Sequence, residues 1–333
     1  MSKLMKKHLA ICSLLLIGII ILITLIAIYK VCVPKEIIGE ERIVNIPYGM
    51  PLKKIAHLLE TEGIIKDPLA FEILVRIKKL HPKAGEYTLS PSMNMLAVLK
   101  ILTQGNYINS SFTIPPGYNI YQIANLLEEK GFAKRERFLE LAKDEEFIKS
   151  LGIPAKSLEG YLSPNTYFLS KGVSCPEIIK MVLLQEKSVF TDEDRTQAKR
   201  IGLSLHQVLT LASIIEKEAK LSEEKRLVSS VFHNRLKKGQ NLESCPTVIY
   251  ALMPNFDGNL KSEDLHIQSP YNTYNRIGLP PGPICNPSIF SIKSALYPEN
   301  TDYLFFVSKK DGSHKFSTTI EEHRFYVSIY QHQ

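Results

Sequence analysis

Val44-Asn45-Ile46-Pro47-Tyr48-Gly49, then Lys54-Ile55-Ala56-His57-Leu58-Leu59-Glu60-Thr61-Glu62-Gly63, returns 68 residues later as Phe112-Thr113-Ile114-Pro115-Pro116-Gly117 and Gln122-Ile123-Ala124-Asn125-Leu126-Leu127-Glu128-Glu129-Lys130-Gly131. Nine positions are identical, from Ile46/Ile114 to Gly63/Gly131. Each copy reads as a short strand, a Pro/Gly turn and an amphipathic helix that a glycine stops at C′. Apolar residues 52, 55, 56, 58 and 59 recur at helical spacing. Two copies cannot form a solenoid, which needs about three or more, so they predict paired strand–helix units of one small α+β module over 40–132. Between them, Asp67-Pro68 opens a helix to about Lys79, 84–89 is a strand, and 93–104 a helix. Arg76, Lys78, Lys79 and Lys83 read as a solvated basic face.

Upstream of the repeat, Leu9 to Tyr29 is a charge-free run of 21 residues, mostly Leu and Ile. About 20 apolar residues cross a bilayer core, whereas the apolar part of a cleavable signal is about 7–15 residues and ends in small residues. This run ends in Ile28-Tyr29-Lys30, so an uncleaved transmembrane helix is expected over 9–29. Lys3, Lys6 and Lys7 place the tail 1–8 in the cytoplasm by the positive-inside rule. The rest of the chain should then lie outside the plasma (inner) membrane. The net charge is +7, and those three lysines account for three of it. The remainder is too dispersed to favour nucleic acid. Cys175, Cys245 and Cys285 show no C-x-x-C spacing. Cys245 and Cys285 would be free to pair in an oxidising compartment, but no disulfide framework is implied. No H-E-x-x-H or Cys/His cluster occurs, so neither a metal site nor a cofactor is expected.

In the second half, 157–169 reads as an ordered connector, followed by helices at about 175–189, 192–201, 205–220 and 222–238. On the helix from Leu205, Val208, Leu211, Ala212, Ile215 and Ala219 form an apolar stripe with Lys217 opposite. Glu216 and Glu218 occupy the stripe's two shoulders. Either could be partly desolvated and its pKa raised toward what a general acid needs, or both could be surface residues pairing with lysines such as Lys220. Periodicity does not choose. Downstream, Tyr271-Asn272-Thr273-Tyr274 precedes Gly278-Leu279-Pro280-Pro281-Gly282-Pro283-Ile284-Cys285-Asn286-Pro287, which has little unfolded-state entropy to lose. Its ring faces, hydroxyls and amides suit a sugar polymer.

Several stretches in order carry a resemblance: Leu211–Glu218, Glu224, Val228–Leu236 with Asn234 and Arg235, Cys245-Pro246-Thr247-Val248-Ile249-Tyr250, Tyr271–Tyr274, Gly278–Ile284, His314-Lys315-Phe316 and Glu322-His323. The chain closely resembles the YceG-like endolytic murein transglycosylase family over nearly its whole length, and its βααβ order resembles LysM-type glycan-binding modules. The resemblance implies an α+β architecture: a transmembrane helix, a LysM-like module over 40–132 and a catalytic domain over 157–333. It implies a lytic transglycosylase, a lyase that cleaves the MurNAc–GlcNAc bond within peptidoglycan strands during cell-wall synthesis. The products carry 1,6-anhydro-MurNAc ends. Glycan strands, the cell membrane and wall-synthesis proteins are the implied partners. The catalytic acid falls on Glu218. Glu216, Glu224, Asn234, Thr247, Tyr271, Asn272, Thr273 and Tyr274 are expected to bind substrate or orient Glu218. The family usually has Asp where this chain has Cys245, so a substrate-side or structural hydrogen bond is missing there. The competing readings are a non-catalytic wall-binding or assembly protein, and a cytoplasmic lyase acting on a small metabolite.

Overall fold

The computed structural model of the 333-residue chain describes residues 15, 18–19, 21–22, 25–26, 29–47, 49–104, 110–169, 173–184 and 186–331. Residues 1–8 and much of the expected span 9–29 lie outside the described residues. Described positions of that span are helical, and Leu15, Ile19, Ile21, Leu22, Leu25 and Ile26 are exposed. Among the described residues no helix is long and apolar enough to cross a membrane. Contacts divide the chain into two units, Met1–Ser111 with Phe168–Val173, and Phe112–Tyr167 with Ser174–Gln333.

In the first unit, β1 (Arg42–Ile46), α1 (Leu52–Thr61), α2 (Pro68–Lys78), β2 (Gly85–Leu89) and α3 (Met95–Gln104) follow in order. β1 and β2 pair antiparallel, with Arg42 opposite Leu89 and Ile46 opposite Gly85. Period-two alternation turns Val44, Ile46, Tyr87 and Leu89 inward. There they meet Ile55, Ala56 and Leu59 of α1, Phe71, Leu74 and Val75 of α2, and Val98, Leu99 and Leu102 of α3. Asp67 caps α2 by accepting from the Ala70 N–H at 2.9 Å, and Pro68 needs no bond there. Gly63 ends the first copy at φ +75°, and a Cβ there would come 2.5 Å from the Arg42 guanidinium.

The second unit begins within β3 (Ser110–Thr113) and continues through α4 (Ile120–Glu129), α5 (Arg135–Ala142), α6 (Glu145–Ser150), the first two residues of β4 (Thr166–Leu169), α7 (Cys175–Val182), α8 (Glu186–Val189), α9 (Asp192–Arg200) and α10 (Leu205–Glu218). Then come α11 (Lys225–Lys237), α12 (Cys245–Ala251), α13 (Ile289–Leu296), β5 (Phe305–Ser308), β6 (His314–Ser317) and α14 (Ile320–Gln331). β5 and β6 are an antiparallel hairpin with Ser308 opposite His314.

The repeat is real as local structure, but its copies do not pair with each other. β1 pairs with β2, whereas in the second copy the Ile114 N–H donates to the Asn165 carbonyl at 2.9 Å. The two copies fall in different units, so 40–132 is not one contact unit. A strand edge takes whichever partner packing brings to it, and a local pattern cannot specify that partner. The helix expected over 175–189 is interrupted as well: Leu183 bridges Leu162, and the Leu184 N–H donates to the Tyr161 carbonyl at 2.7 Å.

α10 is the centre of this unit. A Ser204/Gln207 capping box starts it, and Val208 through Ile215 are all buried, so the predicted stripe is in fact nearly a full circumference. α13, α11 and α12 surround it. Each buried Leu or Ile there contributes roughly 1.5–3 kcal/mol.

Candidate active site

Glu218 is the last residue of α10; Ala219 is already extended (φ −98°, ψ 112°). That position faces the helix's own unpaired carbonyls and the negative end of its dipole, both unfavourable to a carboxylate. Burial raises the Glu218 pKa above the usual carboxylate value, against the hydroxyl of Ser244 and the nearby His314 and Arg235, which lower it. Ser244 donates from Oγ to Glu218 Oε1 at 2.6 Å.

Glu216, one shoulder away, is held quite differently. The Lys225 ammonium donates to Oε1 at 2.9 Å, and Oε2 accepts from the Ser288 N–H at 2.9 Å, Ser288 Oγ at 2.6 Å and Ser291 Oγ at 2.7 Å. Burial pushes its pKa up, but the two hydroxyls and the ammonium outweigh burial and hold it below the ordinary value. This carboxylate is an ionised clamp between α10, α11 and α13. Lys220, the expected partner, is not the one used.

The other expected residues separate into an inner layer and a wall. Thr247, Asn272 and Thr273 are fully buried, out of reach of a polymer. Thr273 Oγ1 accepts from the Ser244 N–H at 3.0 Å, and Thr247 Oγ1 donates to the Ser244 carbonyl at 2.7 Å. Asn272 Nδ2 donates to the carbonyls of Leu265 and Ile267, both at 2.9 Å. Asn234 Nδ2 ties down the carbonyls of Thr301 and Tyr303 at 2.7 and 3.0 Å. Glu224 grips His314 twice, accepting its N–H at 2.9 Å and meeting Nδ1 at 2.7 Å, which fixes the start of β6. These residues therefore build the site rather than face solvent. Tyr271 and Tyr274 are half-buried; the Tyr271 ring lies 4.9 Å from that of Tyr250, and the Tyr274 hydroxyl lies 3.0 Å from Cys245 Sγ.

Cys245 and Cys285 are both free. Cys285 is buried and donates to the Ser213 carbonyl at 3.3 Å, so no disulfide joins them. Burial raises the Cys245 thiol, aided by the Glu218 charge and opposed by Tyr274. A neutral thiol therefore stands where an Asp would add a second negative charge.

Sequence reasoning did not assign roles to Ser244, Arg235, His314 or Glu159. Ser before Cys-Pro is legible only as a helix N-cap. Arg235 Nη1 reaches Glu243 at 2.8 Å and the Leu242 carbonyl at 3.1 Å, bracing the turn into Ser244, in which Glu243 adopts φ +52°. Glu159 is 1% exposed, accepts from the Ile120 N–H at 3.1 Å, and is pushed by burial up to about 8 against its hydrogen bonds to Ile120 and Tyr250. Gly160 beside it (φ +84°) admits Pro283 where a Cβ would lie 2.4 Å away. A cavity of about 520 Å³ opens there, lined by Ser157, Glu159, His206, Tyr271 and Pro281–Pro283. His206 is the second residue of α10 and Glu218 its last, about 18 Å apart along the axis, so this cavity is not at the acid.

At the end of α10 the arrangement presents one carboxyl desolvated, Glu218, and holds its neighbour, Glu216, ionised against Lys225. The YceG-like family model matches residues 44–328. A Bacillus subtilis protein named endolytic murein transglycosylase is 36% identical over 297 residues, covering 84% of this chain and 82% of that protein. A Streptococcus pneumoniae protein of the same name is 31% identical over 313 residues, covering 84% of this chain but 56% of that longer protein. A crystal structure of a YceG-like protein from Listeria monocytogenes aligns with a TM-score of 0.59 at 35% identity, covering 87% of this chain and all of that one. The chain belongs to the YceG-like family.

Proposed function

We propose that this protein is an endolytic murein transglycosylase anchored by residues 9–29, with Glu218 as its only acid–base group. The observation that carries the reading is the contrast between the two glutamates. Glu216 is ionised and engaged on both oxygens, whereas Glu218 is desolvated and holds one short bond on Oε1. The names and coverage of the relatives support the substrate class.

Ordinary glycosidases need two carboxylates, one as acid and one as nucleophile or base. One suffices here because the nucleophile belongs to the substrate. Protonated Glu218 gives its proton to the oxygen leaving C1 of N-acetylmuramic acid. The same sugar's C6 hydroxyl attacks C1, the C1–O bond breaks, and Glu218 takes the C6 hydroxyl proton as the 1,6-anhydro ring closes. An intramolecular nucleophile has a very high effective concentration, so no activated water is needed. Excluding water favours ring closure over hydrolysis.

The exposed apolar positions from Leu15 to Ile26 support the membrane anchor, since such a surface needs a cover. The β–α–α–β run Arg42–Leu89 supports a glycan-holding role for the first unit during wall synthesis. The test is the product. The purified protein incubated with peptidoglycan should release strands with 1,6-anhydro ends, cut internally, as read by mass spectrometry. Reducing ends alone would make it a hydrolase, and no cleavage would favour a non-catalytic wall-binding protein.

A further inference from the structure

Ser244 occupies the N-cap of α12, a position at which serine ordinarily turns its hydroxyl back onto the helix's own N–H groups. Here it makes no such bond, although the helix has no other side-chain cap. The hydroxyl points instead at Glu218 Oε1, 2.6 Å away. Everything around it fixes that direction. Ser244 is 1% exposed, Thr273 holds its N–H, Thr247 its carbonyl, and the two threonine hydroxyls lie 2.9 Å apart. A local rule broken in a well-packed place, with its would-be capping group aimed at one carboxyl, is the pattern expected of a functional position.

We infer that Ser244 is a positioning residue for Glu218: its hydroxyl holds Oε1, so that the transferable proton is carried on Oε2, the oxygen left to face the glycosidic bond. The inference rests on the reading of Glu218 as the acid. A carboxyl whose proton sat on either oxygen would present it productively only part of the time, and Ser244 removes that ambiguity. The hydroxyl donates whether Oε1 belongs to a neutral acid or to a carboxylate, and donates more strongly to the carboxylate. It therefore also limits how far burial raises Glu218. The other charged and titratable groups around Glu218 are Arg235 on α11, His314 on β6, Cys245 on α12, and Tyr274 and Glu243 in the flanking loops. None of them is substituted in a Ser244 variant.

The test uses the full chain with Ser244→Ala and Ser244→Thr, reading kcat and KM separately across pH. Removing the hydroxyl should lower kcat about tenfold or more with KM little changed, since a bond to a charged group that orients the reacting atom is lost. The high-pH limb, where Glu218 deprotonates, should move upward. Ser244→Thr keeps the hydroxyl and should restore most of the turnover and the wild-type limb. If Ser244→Ala does not fold, Ser244→Gly, which N-caps accept at small cost, replaces it. Unchanged kcat and an unmoved limb overturn the inference, as does a loss of activity that Thr does not rescue. Titrating Glu218 by carbon NMR separates the two claims. A titration that moves in Ser244→Ala while the wild type makes no anhydro ends overturns the function and keeps the positioning. A titration that stays put overturns the positioning alone.

Discussion

Replacing Glu216 by Gln preserves volume but removes the charge facing Lys225. Both side chains are nearly buried, 10% and 7% exposed. Breaking such a pair from one side leaves the other charge uncompensated and costs about 3–5 kcal/mol. The amide oxygen can still accept from Ser288 and Ser291, so the loss belongs at the low end, about 3 kcal/mol. At roughly 2–4 °C per kcal/mol for a domain of 150–250 residues, the transition should fall by about 6–12 °C in scanning calorimetry. The clamp's contribution is present above the unfolded-state value of 4.5 and fades as pH falls through the lower folded-state value. Well below the transition the variant should keep turnover within about tenfold, since only an orienting group has changed. A cycle with Lys225→Met should give a coupling of about 1–3 kcal/mol. A melting temperature within about 2 °C of wild type would refute the clamp. An intact melt with a loss of ~100-fold or more in turnover would instead make Glu216 the acid.

Glu159→Gln should flatten the dependence of stability on pH. In the wild type a buried carboxyl titrating at about 8 rather than 4.5 weakens the fold as pH rises between those values, by at most about 1.4 kcal/mol per pH unit. A denaturation series that keeps this slope in the variant would exclude Glu159 as its source. Asp194 works in the opposite sense: burial would raise it, but Lys293, Thr191 and Tyr297 hold it at about 2, so its contribution is lost as pH falls from about 4 to 2. Asp194→Asn should cost about 2 kcal/mol at neutral pH, and unfolding measurements that find no loss would contradict this. A reporter enzyme active only outside the cytoplasm, fused after Gln333, should be active; activity of a cytoplasmic reporter alone would sink the export reading.

Local structure was legible where a short-range device decides it. The strand at 84–89, the helix opened by Asp67-Pro68 and the helix from Leu205 appear within two residues of expectation, because caps and periodicity act within one element. The stops at Gly63 and Gly131, at φ +75° and +72°, were equally readable. Pairing was not. The two strand–helix copies look alike, yet their partners are Gly85–Leu89 in one and the strand that follows Asn165, Thr166–Leu169, in the other. The choice between Glu216 and Glu218 was beyond the helix for the same reason. Lys225 lies nine residues from Glu216, Ser288 lies 72 residues from it, and Ser244 is 26 from Glu218. Four of the expected substrate contacts, Asn234, Thr247, Asn272 and Thr273, are polar residues whose donors the fold itself uses; composition cannot distinguish a polar wall from a polar interior.

The central claim is that Glu218 alone moves the proton. Glu218→Gln keeps size and can still accept from Ser244, but it can neither give nor take the catalytic proton. General acid–base catalysis is worth about 10²–10⁴-fold, so release of 1,6-anhydro ends from peptidoglycan should fall at least ~100-fold while binding to the polymer persists. Anhydro products at wild-type rate from the folded Glu218→Gln protein would contradict the account.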